Sequence, residues 1–380
     1  MKFKLGAIAL ALAAPAAFAQ SSVTIYGIID LDGQYLSGHE KQVLVTSGGQ
    51  SGSRIGFKGT EDIGNGYYAD FVLEGGLNVD TGGSGQGTSL FGRQAFGALR
   101  TPFGTASAGR QYSSIYNQTN EFSEFANVSL GATTAVIGGF AGGYEPIRGG
   151  AANATTSTST GAEVNGSPAR VNNSFRYTTP SIEGLKASVL YGAGEVTGGT
   201  TSTRLIDYSV RYTNYGLDAY VSYVTDKAAN GAVLPSLTTN VGIVTVSASY
   251  TIDAFKVEGG YLSLDDKRAA DPGKAKLDQD GKGFWIGGDY RFGQNLVRAQ
   301  WVENDPRNNA SMGKTNAYGV GYEYDFSKRT NLYTSLTRFQ NDASSNGTFT
   351  GRGGAAFPAG LTTASDRTVN EFVLGVRHSF

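Results

Sequence analysis

A period of two, repeated along most of its length, limits this chain to strands. The second face of those strands is repeatedly ionic. Over 206–213, Ile206, Tyr208, Val210 and Tyr212 share one face, and Asp207, Ser209, Arg211 and Thr213 take the other. Residues 67–74 set Tyr67, Ala69, Phe71 and Leu73 against Tyr68, Asp70, Val72 and Glu74. The alternation recurs through 244–252, 284–292 and 318–326, where Glu323 and Asp325 oppose Tyr322, Tyr324 and Phe326. Strict alternation specifies half-buried strands. A globular sandwich alternates too, but its sheets share one dry interior, which Asp207, Arg211, Arg291 and Glu323 do not suit. The pattern predicts an apolar face turned to lipid and a charged face lining a wet lumen.

The connections alternate in length. Short ones fall near residues 64–66, 102–104, 181–184, 215–216, 253–254, 293–294 and 327–329. Long ones cover roughly 36–52, 79–89, 112–169, 193–203, 228–239, 265–281, 306–315 and 341–366, rich in Gly, Ser, Thr, Asn and Asp. Seven short turns and eight long loops predict an all-β fold, a transmembrane antiparallel β-barrel of about 16 strands. Closure leaves no strand edge and satisfies every backbone polar group inside hydrocarbon. Side chains cannot fill a barrel that wide, so an aqueous channel follows. Phe372, Leu374, Val376 and Phe380 share the face expected to close the barrel beside Val23, Ile25, Ile29 and Leu31.

Residues 1–19 are a separate matter. Lys2 and Lys4, an apolar run from Leu5 to Ala14, and Ala17-Phe18-Ala19 before Gln20 have the order of a secretory signal peptide. The expected mature chain, 20–380, is one barrel domain. Two of the 31 basic residues leave with the leader, so 29 face 32 acidic ones and the net charge is −3. Such a balance gives no reason to expect nucleic acid as a partner. With no Cys and only His39 and His378, thiolate metal sites are excluded and no cofactor is expected. The high Tyr (21) and Phe (20) counts suit aromatic girdles at two membrane interfaces.

Several short motifs now fall into order: Ser22-Val23-Thr24-Ile25-Tyr26-Gly27, Ser53-Arg54-Ile55-Gly56-Phe57 with Lys58-Gly59, Arg93-Gln94-Ala95-Phe96, Gly109-Arg110-Gln111-Tyr112, Arg170-Val171-Asn172-Asn173-Ser174 and the terminal Phe380. In this order and spacing the chain resembles the trimeric general porins of Gram-negative outer membranes, nearest their betaproteobacterial branch. The resemblance spans the mature chain. It implies a homotrimer in outer-membrane lipid, 16 strands per subunit, and a long third loop folded into the pore. In such porins acidic residues of that loop face basic residues of the opposite wall, and the field between them orients solutes and sets ion preference.

By the same resemblance Arg54, Arg93 and Arg170 match the basic residues of the second, fourth and sixth strands, with Lys58 and Arg110 as further candidates for the basic wall. Glu124-Phe125-Ala126 resembles the acidic Pro-Glu-Phe-Gly segment of the pore loop, with Ser123 in place of Pro, and Glu121 is the next acid. Loop 112–169 departs from the pattern by an insertion over about 140–169. For each arginine the plainer alternative is a rim side chain paired for fold alone, and for the two acids an ordinary exposed loop.

The expected function is a water-filled channel in the cell outer membrane for passive diffusion of ions and small hydrophilic solutes, with a mild anion preference. Two rivals remain at this point. An outer-membrane protease or lipase needs a nucleophile and base, and His39 and His378 lack an evident Ser–Asp partnership. A non-conducting adhesin barrel needs a plug.

Overall fold

The computed structural model describes residues 22–38, 40–125, 133, 137, 169–193, 204–229, 238–266, 281–306, 314–341 and 368–380. The first half of the wall comprises β1 (Ser22–Ser37), β2 (Lys41–Ser47), β3 (Arg54–Gly64), β4 (Tyr67–Asn78), β6 (Gln94–Thr101), β7 (Gly104–Tyr112), β8 (Arg170–Thr178) and β9 (Leu185–Gly192). The second half comprises β10 (Arg204–Asn214), β11 (Leu217–Ala229), β12 (Thr238–Ile252), β13 (Phe255–Asp266), β14 (Gly281–Phe292), β15 (Asn295–Pro306), β16 (Thr315–Asp325), β17 (Thr330–Asn341) and β18 (Thr368–Ser379). A two-residue strand, β5 (Gly83–Ser84), pairs only with the end of β4. Helix α1 (Ser114–Glu121) follows β7.

β2 and β3 are two stretches of a single wall strand. β3 pairs with Ser22–Ile28 of β1, and β2 with Leu31–Ser37. The wall is therefore a closed antiparallel barrel of 16 strands. Its seam joins Ile28–Ser37 of β1 to Asn370–Ser379 of β18. Two 3.1 Å backbone hydrogen bonds between Gly27 and Phe380 lie at the end of that seam. Closure matters because an unpaired backbone group in hydrocarbon costs several kcal/mol.

The short connections fold as their residues dictate. Asn65-Gly66, Glu183-Gly184 and Tyr215-Gly216 have φ of 54° and 80°, 50° and 89°, and 52° and 80°. Positive φ at both central residues is the mirror-image turn that suits the right-handed twist of a hairpin.

Outward rows are apolar, as expected: Ile206, Tyr208 and Val210 on β10, Val244 and Val246 on β12, Phe372, Leu374 and Val376 on β18. The inner face differs from the expectation. Towards the long-loop end it carries a buried apolar row rather than a charged one. Val224, Ile243 and Leu264 pair across β11–β13, and Trp285, Val302, Ala317, Phe339 and Val369 across β14–β18. They pack in one cluster with Ile115, Tyr116 and Ile137 of the third connection, so the barrel holds an apolar core towards that end. Elsewhere the inner face is polar and carries charges, among them Lys256, Glu258, Asp289, Arg298 and Glu323.

The expected long loop over 36–52 is also different. Ser37 of β1 pairs directly with Lys41 of β2, β2 continues the wall, and 48–53 leave it and fold inwards. Gly48, Gln50 and Ser51 donate their backbone N–H groups to the carbonyl or carboxylate of Asp30.

Candidate functional site

The third long connection is positioned by its first turn. Ser113 caps α1 by accepting from the Tyr116 N–H through Oγ at 3.2 Å. Ser114 donates its N–H (2.7 Å) and hydroxyl (2.5 Å) to the Asp207 carboxylate on β10. The contacts then step along the inner wall. Gln118 donates to Ser222 of β11 at 2.6 Å, Trp285 of β14 to the Phe122 carbonyl at 2.7 Å, and the Glu124 N–H to Gln300 of β15 at 2.6 Å. The Phe125 ring ends the run in a hollow that only glycine leaves open. A methyl group on Gly319 or Gly321 of β16 would stand 2.7 or 3.1 Å from it. Thr133 donates to Ser123 at 3.0 Å, and Ile137 fills the space above Gly283 of β14.

Three of the expected basic residues come together. Arg93, immediately before β6, is 6% exposed. It donates to Glu74 of β4 at 2.7 Å and to the Tyr116 hydroxyl at 3.3 Å. Arg54 opens β3 within electrostatic reach of Arg93 and Glu74. Arg170 opens β8 with its guanidinium 5.5 Å from the Tyr112 ring and 5.2 Å from that of Tyr116. The buried Nε atoms of Arg54 and Arg170 have no hydrogen-bond partner among the described residues. Arg93 and Arg54 thus lie within electrostatic reach of the Glu74 carboxylate, and Arg170 joins them around the stacked rings of Tyr112 and Tyr116. Lys58 stands on the inward row of β3, exposed, with Nζ 5.2 Å from the Tyr26 ring.

Arg110 is not in this group. Its register opposite Ala95 puts it on the outward row of Ala106 and Ala108, where it donates to the Gly92 carbonyl at 2.7 Å and to Asn172. The two acids are paired on the wall that the loop follows, rather than with the arginine group. Glu121 meets Arg211 of β10 at 2.7 Å, and Arg211 also holds Asp218 at 2.6 Å. Glu124 lies 3.3 Å from Lys256 of β13, which also contacts Glu258 (3.0 Å) and Asp289 (3.3 Å).

Sequence reasoning put Glu323 on the charged face without assigning it to the site, and missed Lys256, Glu258 and Arg298, although each alternates with outward apolar neighbours such as Val257 and Val297. It also missed Asp30, although Asp30 alternates with Ile29 and Leu31, and Gln50, for which alternation gives no signal because the inward turn is held by tertiary contacts. His39, weighed for catalysis, lies outside the described residues. His378 is on the exterior beside the Thr330 hydroxyl at 2.8 Å.

A closed 16-stranded barrel with an apolar exterior, interior charge and a connection laid along its inner wall defines the class of outer-membrane channel proteins. Comparison with known proteins agrees. The Gram-negative porin family model matches residues 6–344, and the chain belongs to that family. It is 31% identical over 389 residues to outer membrane porin protein 32 of Delftia acidovorans, covering all of both chains. It is 28% identical to an outer membrane porin protein of Bordetella pertussis, covering 87% of this chain and 92% of that one. Among solved structures, the anion-selective porin from Comamonas acidovorans superposes with a TM-score of 0.74 at 26% identity, covering 95% of this chain and all of that one. The trimer form of OmpT from Vibrio cholerae shares the fold, with a TM-score of 0.64 at 16% identity over 95% of this chain and 99% of that one. The chain is an outer-membrane porin, a multi-pass barrel for passive diffusion, and its relatives are channels rather than enzymes.

Proposed function

We propose that the pore is narrowed between Ser113–Phe125 and the arginine group, and that it passes small anions somewhat better than cations. The observation that carries this is the charge imbalance around Tyr116: three guanidiniums gather there, only Glu74 offsets them, and Arg54 and Arg170 are only half-buried. Of the opposing acids, Glu121 is 39% exposed but paired with Arg211. Side chains of Glu124 and Glu258 are 3% and 1% exposed and are tied to Lys256. Fixed charge at a constriction sets the local concentration of permeating ions. In this arrangement Arg54, Arg170 and Lys58 attract the anion, and Arg93 serves mainly to brace the loop through Tyr116. Arg110, on the outward row, has no part in it. The relative described as anion-selective supports the preference.

Three copies assemble in outer-membrane lipid, in line with the trimeric structure that shares the fold. The leader 1–19 is removed on export, and the chain works by transport without catalysis. The test of selectivity is the zero-current potential across a planar bilayer in a KCl gradient. Wild type is expected to show the sign of chloride preference, and Arg54→Ala to reduce the permeability ratio about twofold or more. A potassium-preferring wild type, or an unchanged ratio in Arg54→Ala, overturns the assignment.

A further inference from the structure

Residues 48–53, between β2 and β3, form a ledge inside the barrel rather than a loop outside it. Asp30, near the middle of β1, is its anchor. Its carboxylate accepts the N–H of Gln50 at 3.0 Å, the N–H of Ser51 at 2.5 Å and the Tyr333 hydroxyl at 2.5 Å. Ser53 Oγ accepts the Asp30 N–H and donates to the Asp30 carbonyl, each at 3.0 Å. The ledge is pressed close to the wall. A methyl group on Gly49 would stand 2.5 Å from the Tyr333 hydroxyl and 2.7 Å from Asp32, so a larger residue there cannot seat without displacing buried groups.

The two ends of the ledge meet the third connection's own contacts. On one side the Gln50 amide donates to Glu323, and Glu323 receives Arg298 at 2.5 Å. Arg298 in turn donates to the Glu124 carbonyl at 2.8 Å. On the other side Gly52 lies against Arg93, where an added methyl would stand 3.1 Å from Nη1, and Arg93 reaches Tyr116 of α1. Gln50 and the Glu124–Phe125 tip line one small cavity together. Ledge and loop are therefore linked at both ends into a ring of contacts inside the barrel.

We propose that the ledge is the second half of the constriction, and that Gln50 is a selectivity-determining side chain lying in the ion path. This rests on the pore reading above. Gln50 is uncharged, half-buried, and the only long side chain between Gly48 and Ser53. Its position lets a charge placed there act on permeating ions from the side facing the loop tip.

The chain has no cysteine, so Gln50→Cys can be modified selectively in the reconstituted full-length protein. A sulfonatoethyl methanethiosulfonate adds a negative group and a trimethylammonium-ethyl one a positive group. Each adduct is expected to lower single-channel conductance by roughly a third or more, and the two to shift the zero-current potential in opposite directions. Val45→Cys, on the outward row of β2, should change neither. Full modification of residue 50, shown by mass, with conductance and potential unchanged would overturn the proposal, as would a thiol that never reacts in the folded protein. If Arg54→Ala shifts the potential while adducts at 50 do not, the ledge role fails and the arginine role stands. If neither acts, both fail.

Discussion

Arg93 and Arg100 show how differently the same residue type behaves on the two sides of the solvent boundary. The Arg93–Glu74 pair has side-chain exposures of 7% and 5%, and Glu74 also accepts from the Tyr26 and Tyr112 hydroxyls at 3.0 and 2.9 Å. Removing one partner of a buried pair leaves an uncompensated charge, at about 3 kcal/mol or more. The Arg100–Asp70 pair is 48% and 23% exposed, and such pairs contribute under about 1 kcal/mol. Equilibrium unfolding in detergent should therefore show Glu74→Ala strongly destabilised and Asp70→Ala nearly unchanged. Equal losses would contradict the burial seen here. The inward direction of Glu74 was legible from its alternation with Leu73 and Phe71. That of Arg93 was not, because it precedes β6 and inherits no parity from a strand, and only its partners turn it inwards.

At the scale of elements, α1 holds the third connection to the wall chiefly through Asp207. Its carboxylate takes two hydrogen bonds from Ser114, at the start of the helix, where a negative charge is favoured. Asp207→Ala should loosen the loop by roughly 2–3 kcal/mol, raise open-channel current noise, and leave the strand content unchanged by circular dichroism. A quiet channel in that variant would mean that other contacts suffice. Strands were legible as elements because period-two patterning dictates them. The ledge was not, because Gly48-Gly49-Gln50-Ser51-Gly52 has the composition of any surface loop and only Asp30, Tyr333 and Glu323 draw it inside. The apolar inner row was hidden for another reason. In the stretch Val241–Val246 both faces are apolar, at Ile243 and Val244 alike, so parity there cannot separate a core face from a lipid face.

For the whole molecule, strand number, closure between β1 and β18 and the outward apolar rows were all readable, since each follows from repetition along the chain. The distribution of charge within the lumen was readable only in part. The expected basic residues Arg54, Arg93 and Arg170 do meet, but Glu121 and Glu124 pair with Arg211 and Lys256 on the wall the loop follows. An apolar cluster packs part of the interior, so the water path is set by the segments folded into it as much as by barrel width. The most direct test of a wet lumen is single-channel recording of the purified, folded protein in a planar bilayer over a series of KCl concentrations. Discrete steps whose conductance rises nearly in proportion to bulk salt conductivity are expected of a water-filled pore. A protein that is fully folded and inserted yet passes no current at any concentration would contradict it.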